Sequence, residues 1–149
     1  TPEEVAHLVE QWVEEVIEPI IFSDACKTIA AHRQAGDRIL VISASGTHLV
    51  KPIAARLGID EVLGIELEVL HGVYSGNTLG TLTYREGKIT RLLEWLDQEQ
   101  ENLEGASFYS DSRNDLPLLL KVDHPHVVNP DAVLREHAQI NGWPILSWA

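Results

Sequence analysis

The stretch YSDSRNDLP, residues 109–117, places two aspartates four positions apart directly after a short apolar run. Residues 106–109 are typical of the end of a buried strand, and residues 116–120 are typical of a helix. Strand-to-helix turns of this kind lie at the carboxyl edge of an α/β sheet, where such folds bind their ligands. Paired carboxylates there suit Mg²⁺, which proteins hold with one or two carboxylates plus a substrate phosphate. The stretch therefore predicts an α/β fold with a site for Mg²⁺ and phosphate.

Outward from this stretch, predicted strands and helices alternate along the chain. That order favours a Rossmann-like parallel sheet with helices on both faces. The apolar, β-branched run at residues 38–43 is typical of a strand buried on both faces. Residues 61–84 are rich in Val, Leu, Thr and Tyr and are interrupted by glycines, which predicts one short core strand followed by one or two β-hairpins. Helical spacing of apolar residues and shorter strand patterns predict the remaining elements: helices at 2–18, 24–34, 47–57, 87–100 and 131–138, and strands at 126–129 and 143–146.

Composition narrows the classes of function. The chain has 149 residues with 23 acidic and 11 basic side chains, a net charge of -12, and so has no basic surface with which to bind nucleic acid. No apolar run approaches the roughly 18 residues of a membrane-spanning helix. The single cysteine, Cys26, fits a reducing cytoplasm, and its apolar neighbours predict a buried structural thiol. We therefore expect a cytoplasmic protein that binds neither nucleic acid nor membranes, while its oligomeric state stays open.

Two further loops at the predicted sheet edge carry groups suited to phosphate. Residues 43–46, Ser-Ala-Ser-Gly, offer hydroxyls and backbone N–H groups beside a helix N-terminus, although alone they more often only cap the helix. Lys88 stands at a helix start, where a cation opposes the helix dipole unless an anion offsets it, although a solvated lysine is the commoner explanation. In the acidic stretch, Asp111 or Asn114 could equally cap the following helix. The three loops together predict one phosphate site.

In chain order, Ser43 after a strand, Gly87-Lys88 at a helix start and DSRND at 111–115 resemble the haloacid dehalogenase-like hydrolases. The resemblance is to their phosphoserine-phosphatase-like branch, subfamily IB, and it extends to the hairpin sequence GVYSG before the lysine. It implies that residues 1–22 are the remnant of a helical cap and that residues 23–149 form the α/β core domain.

The resemblance also implies two groups of site residues. Ser43 binds the transferring phosphoryl group, helped by the backbone N–H of Ala44. Lys88 offsets negative charge on the phosphate oxygens, and Asn114 helps to position the phosphate. Ser43 and Lys88 are the implied catalytic residues of this chain. Such groups fit phosphoryl transfer, which depends on positioning and on charge stabilisation.

Asp111 and Asp115 form the implied metal site. Asp111 ligates Mg²⁺, and Asp115 orients a metal-bound water or the lysine. The implied substrate is a small phosphorylated metabolite: phosphoserine, histidinol phosphate, a sugar phosphate or another monoester.

The family's first motif, D-x-D-x-[TV] after an apolar strand, does not occur in this sequence. Its first aspartate is the nucleophile that forms an aspartyl-phosphate, and its second is the general acid and base. Asp24, Asp60 and Asp97 lack both the spacing and the context. We therefore expect the nucleophile upstream of Thr1, so that the chain is an inactive fragment of a phosphatase. The alternative is a non-catalytic α/β binding or interaction domain derived from the same fold.

Overall fold

The computed structural model describes residues 1–149 and contains two compact units, Thr1–Thr83 and Tyr84–Ala149. The predicted division into a cap remnant at 1–22 and a core at 23–149 stays a prediction. The first unit contains α1 (Pro2–Trp12), α2 (Ser23–Gln34), β1 (Val41–Gly46), α3 (Thr47–Arg56), β2 (Val62–Leu70) and β3 (Val73–Leu79). The second contains α4 (Glu86–Glu99), β4 (Ser107–Ser110), α5 (Leu116–Leu119), β5 (His124–Val128), α6 (Ala132–Asn141) and β6 (Ile145–Leu146).

The sheet of the first unit has the order β1-β2-β3. The long strand β2 has two partners: its start pairs in parallel with β1, and its end pairs antiparallel with β3. The hairpin turns at His71 and Gly72, both of which have positive φ. The predicted hairpin is therefore confirmed, but the core strand before it is the same strand as its first arm.

Strand β1 departs from its predicted limits. It runs from Val41 to Gly46 instead of 38–43, and Val41, Ile42 and Ser43 are each only partly buried. This partial burial contradicts the prediction of a strand buried on both faces. The ladder with β2 is irregular between Ile42 and Gly46, so the predicted phosphate loop is a bulged continuation of the strand.

The helices of the first unit follow the predicted pattern with two differences. Thr1 and Glu4 form the capping box that starts α1. Beyond Trp12 the predicted helix continues as a π-helical turn to Ile17 and a 3₁₀ turn to Ile20. Helix α2 has no buried residue, so Cys26 is exposed and the prediction of a buried thiol is wrong. The apolar core of this unit comprises Val9, Val13, Val50, Ala54, Ile59 and Leu63.

The second unit has a parallel sheet of order β4-β5-β6. Its core is the cluster Leu119, Val127, Leu134 and Ala138, against which Phe108, Trp143 and Ile145 pack. The predicted strand at 106–109, the helix at 87–100 and the strand at 143–146 are confirmed, although β4 ends at Ser110 and β6 comprises only Ile145 and Leu146. With parallel pairing and helices in both units, the predicted α/β class is confirmed.

None of the helices has the length and apolar composition needed to cross a membrane.

One ion pair of the first unit makes stability depend on pH. Arg38 donates hydrogen bonds of 3.1 and 2.8 Å to the two carboxylate oxygens of Glu61. These bonds hold the pKa of the Glu61 carboxyl below its ordinary value of 4.5. A depressed carboxyl pKa stabilises the folded state above the unfolded-state pKa, and the effect is lost as the pH falls through the folded-state value.

We expect Glu61→Gln to lower the free energy of unfolding at pH 7 by less than about 1 kcal/mol, because the pair is only partly shielded from solvent. Urea titrations at pH 7 and at successively lower pH values should show the difference from the wild type vanishing in acid. The exposed Glu14→Gln variant is the control. A difference that is the same at every pH would contradict the assignment.

Candidate active site

The acidic loop after β4 is held in shape by hydroxyl groups and by an aspartate from α6. The Ser110 hydroxyl accepts a hydrogen bond from the backbone N–H of Ser112 at 3.2 Å. The Ser112 hydroxyl accepts one from the N–H of Asn114 at 3.1 Å and caps the 3₁₀ turn that follows. Asp131, the N-cap of α6, accepts a bond of 3.4 Å from the N–H of Arg113. Because Ser112 supplies the cap, the explanation of Asp111 or Asn114 as the cap is wrong.

Lys88 and Asp115 form a buried ion pair in the second unit. Lys88 lies in the first turn of α4 and is only 8% exposed, and Asp115 is 7% exposed. The Lys88 ammonium nitrogen lies 2.6 Å from Oδ1 of Asp115. This short distance joins a cation and an anion inside the protein, where little solvent screens their attraction. The explanation of Lys88 as a solvated surface lysine is therefore wrong.

Ser110 completes this pair from the other side of the carboxylate. Its buried hydroxyl donates a short hydrogen bond to Oδ2 of Asp115. Asp115 is thereby fixed between an ammonium group and a hydroxyl group. Nothing in the sequence singled out Ser110, because a serine next to an aspartate is common and its partner is set by the fold of the loop.

Asp111 and Asn114 are the unengaged polar side chains of the loop. Asp111 is exposed, and its carboxylate makes no hydrogen bond or ion pair. Asn114 is partly buried, and its side-chain amide likewise has no partner. Both side chains are therefore available to a ligand without loss of an internal contact.

The fit of these residues to Mg²⁺ differs between the two predicted ligands. Asp111 offers free carboxylate oxygens, whereas both oxygens of Asp115 already face Lys88 and Ser110. No group of three or more His, Cys, Asp or Glu side chains is arranged to hold a metal. Mg²⁺ usually keeps several waters and binds one or two carboxylates plus substrate phosphate. This chain can supply one such carboxylate, that of Asp111. Asp115 fits the implied role of orienting the lysine better than that of a direct ligand.

Ser43 and Ala44 lie in the first unit, in the bulged part of β1. The Ser43 hydroxyl accepts a hydrogen bond of 3.1 Å from the N–H of Ser45, and Ala44 is exposed. Helix α3 begins directly after Gly46, whose position as N-cap provides no side-chain hydrogen bond. The explanation of this segment as a mere cap is therefore wrong. The uncapped N–H groups of α3 have the character of an anion-binding site.

Gly64 of β2 lies against the backbone of this bulge. A Cβ atom at this position would lie 2.9 Å from the carbonyl oxygen of Ser45 and 3.2 Å from the backbone nitrogen of Thr47. Only glycine allows the two backbones to approach so closely. The bulge is consequently held against β2 by a backbone contact that a side chain would separate.

The Ser110 hydroxyl gives a direct test of the second cluster. We expect Ser110→Ala to lower the free energy of unfolding by roughly 1.5–3 kcal/mol, because a buried carboxylate oxygen loses its hydrogen-bond donor. Chemical denaturation of the variant measures this loss. The matched control is Ser107→Ala, at an exposed position of the same strand. Equal stability of the two variants would contradict the role of Ser110 in holding Asp115.

Comparisons with known proteins identify relatives of this chain. A family model described as haloacid dehalogenase-like hydrolase matches residues 1–120. The histidinol-phosphatase of Neisseria meningitidis serogroup C is 41% identical over 150 residues, which cover 98% of this chain and 68% of that protein. Two relatives from Mycobacterium tuberculosis, one of them named as a probable phosphatase, are 38% identical to this chain, which spans 50% of their length.

Solved structures give the same fold. A protein of unknown function from Bordetella pertussis Tohama I superposes with a TM-score of 0.94 at 35% identity, covering 98% of this chain and 67% of that one. A probable phosphoserine phosphatase from Vibrio cholerae gives a TM-score of 0.72 at 19% identity, covering 94% of this chain and 42% of that one. The second similarity concerns the fold alone.

Proposed function

The chain belongs to the haloacid dehalogenase-like hydrolase family, and we propose on this basis that its protein is a Mg²⁺-dependent phosphatase of a small phosphorylated metabolite. The observation that carries the proposal is the buried Lys88–Asp115 ion pair, together with the exposed, unengaged carboxylate of Asp111 four residues earlier in the same loop. A buried ion pair contributes little net stability compared with apolar residues. Its presence in a loop that also carries a free carboxylate is better explained by chemistry on a charged substrate.

Each predicted residue has a place in this proposal. Ser43 donates its hydroxyl, and Ala44 its backbone N–H, to the phosphoryl group. Lys88 neutralises charge on the equatorial oxygens while Asp115 keeps the ammonium group in place, and Asn114 positions the phosphate with its amide. Such preorganised donors stabilise the charge that develops in phosphoryl transfer.

Mg²⁺ would be held by Asp111, and when bound it would supply charge neutralisation at the phosphate. Asp115 contributes through Lys88 and not as a direct ligand, since both of its oxygens are engaged. This assignment narrows the two-carboxylate metal site predicted from the sequence to one carboxylate of this chain.

The nucleophile is proposed to be an aspartate outside residues 1–149, because no aspartate pair of the sequence has the required D-x-D spacing. In the proposed reaction this carboxylate attacks phosphorus, the P–O bond to the alcohol breaks, and water then releases inorganic phosphate. The single cysteine fits a reducing cytoplasm, and the net charge of -12 disfavours nucleic acid as the substrate.

The test is an assay of phosphate release by the protein encoded by the complete reading frame. Histidinol phosphate comes first in the panel, since a relative at 41% identity is named for that activity, followed by phosphoserine and sugar phosphates. We expect release from at least one substrate that depends on Mg²⁺ and stops with a chelator. A folded protein that hydrolyses none of them, and whose upstream sequence lacks the D-x-D pair, would instead favour the non-catalytic binding domain.

A further inference from the structure

Thr83 carries a buried hydroxyl group that neither the fold nor the proposed chemistry has so far required. The residue lies at the end of the first unit, outside any helix or strand, and its side chain is completely buried. Its hydroxyl donates a short hydrogen bond to the backbone carbonyl oxygen of Ser43. Because Thr83 belongs to no ladder, this bond is a specific contact between two distant points of the chain.

The carbonyl oxygen that Thr83 contacts belongs to the peptide group between Ser43 and Ala44. The peptide is planar, and no cis bond occurs in the chain, so the Ala44 N–H points opposite to that oxygen. A donor that fixes the oxygen therefore fixes the direction of the N–H as well. The Ala44 N–H is one of the groups proposed to bind phosphate.

The surrounding strand does little to fix this peptide. Between Ile42 and Gly46 the register of β1 on β2 is interrupted, and no β2 residue is paired with Ser43 or Ala44. Elsewhere in a ladder, regular cross-strand hydrogen bonds would set the orientation of each peptide. Here the side-chain bond from Thr83 takes over that function.

We propose that Thr83 is a positioning residue, which orients the Ser43–Ala44 peptide so that the Ala44 N–H faces the phosphoryl group of the substrate. The inference rests on the proposed phosphatase function. It adds a residue that acts through the backbone and does not itself touch substrate. Preorganised N–H donors contribute to catalysis only when their direction is fixed before the charge develops.

The experiment compares variants of the protein encoded by the complete reading frame. Thr83→Val keeps the shape of the side chain and removes the hydroxyl, and we expect its kcat/KM for a hydrolysed phosphomonoester to fall about 10- to 100-fold, mainly in kcat. Inhibition by orthovanadate, a mimic of the transferring phosphoryl group, should weaken by a similar factor. Thr78→Val, at an exposed position of β3, is the matched control.

A second pair of variants separates positioning from folding. Thr83→Ser and Thr83→Ala both lack the methyl group and differ from each other only in the hydroxyl. We expect the serine variant to retain activity within about threefold of the wild type and the alanine variant to lose it as the valine variant does. This pair decides the matter even if the valine variant does not fold.

Failure of the inference can be told apart from failure of the proposed function. A wild-type protein that hydrolyses no phosphomonoester would overturn the function itself. An active wild type whose serine and alanine variants have equal kcat/KM would overturn the role of Thr83 alone. In the folded proteins, the amide resonance of Ala44 should shift between these two variants, and an unchanged resonance would likewise contradict the role.

Discussion

We expect Lys88→Met to lower the free energy of unfolding by about 3–5 kcal/mol, because it leaves the Asp115 carboxylate buried without its cation. Lys88 is 8% exposed and Asp115 is 7% exposed, so water cannot replace the missing ammonium group. The Ser110 hydroxyl bonds to Oδ2 only, and Oδ1 has no hydrogen-bond donor to compensate. Chemical denaturation of this chain measures the loss.

The double variant Lys88→Met with Asp115→Asn isolates the cause of this loss. Removing the second charge should recover most of the stability, because asparagine can still accept the hydrogen bond from Ser110 and no unpaired charge is buried. Lys121→Met, at an exposed lysine, controls for the general effect of the substitution. If Lys88→Met were as stable as Lys121→Met, the pair would not be buried as described.

The same double variant should remain inactive. Without Lys88 the proposed phosphatase loses a cation that stabilises the transferring phosphoryl group, and we expect kcat/KM to fall roughly 10²–10³-fold or more in both the single and the double variant. Stability that returns without activity would distinguish a role in chemistry from a role in folding alone. Recovery of activity together with stability would contradict the assignment of Lys88.

The sequence predicts those parts of the fold that depend on local pattern. Helical spacing at Ile89, Leu92 and Leu96 predicts α4, and the observed helix differs from the prediction by one residue at each end. The order of the serine, lysine and acidic motifs along the chain predicts the family, because this order can be read from the sequence without knowing how the elements pack. Both kinds of information are contained in the chain without knowledge of distant contacts.

Features that depend on distant contacts were predicted wrongly or missed. For Lys88 the local sequence alone favours a solvated lysine, and only the resemblance to the family implies a site role next to Asp115; the burial of Lys88 depends on this partner 27 positions later in the sequence. The extension of β1 to Gly46 follows from its irregular pairing with β2, and a single strand sequence does not reveal such a bulge. Thr83 was missed for the same reason, since hydroxyl residues are common and its acceptor lies 40 positions away.

Cys26 shows the opposite case, in which a local pattern is misleading. Its apolar neighbours predicted a buried thiol, but α2 has no buried residue in the structure. Cysteine is among the most frequently buried residue types, which favours the prediction of a buried thiol. The sequence of α2, however, is at least half polar, and this composition is typical of an exposed helix.

Asp111→Asn should have the reverse signature to that of Lys88→Met: a large loss of activity with almost no change in stability. The Asp111 carboxylate is exposed and makes no internal contact, so its removal should change the free energy of unfolding by less than about 0.5 kcal/mol. Activity of the protein from the complete reading frame should fall roughly 100-fold or more. Even residues that only hydrogen-bond to a metal ligand change metal affinity or activity by about 10- to 100-fold when mutated, and a direct ligand should matter at least as much. Phosphate release across a Mg²⁺ titration and chemical denaturation measure the two effects.

The dependence on Mg²⁺ tests whether Asp111 is the ligand. If it holds the metal, the asparagine variant should require a higher Mg²⁺ concentration for half-maximal activity, because a neutral amide oxygen binds a hard divalent cation more weakly than a carboxylate does. Asp60→Asn, which changes the net charge equally at an exposed position, should leave the Mg²⁺ requirement unaltered. Asp115→Asn should instead lower stability, because it leaves the Lys88 ammonium group buried and unpaired. Should Asp111→Asn keep the wild-type Mg²⁺ requirement, the metal would be held by other groups, and the free carboxylate would have to be explained differently.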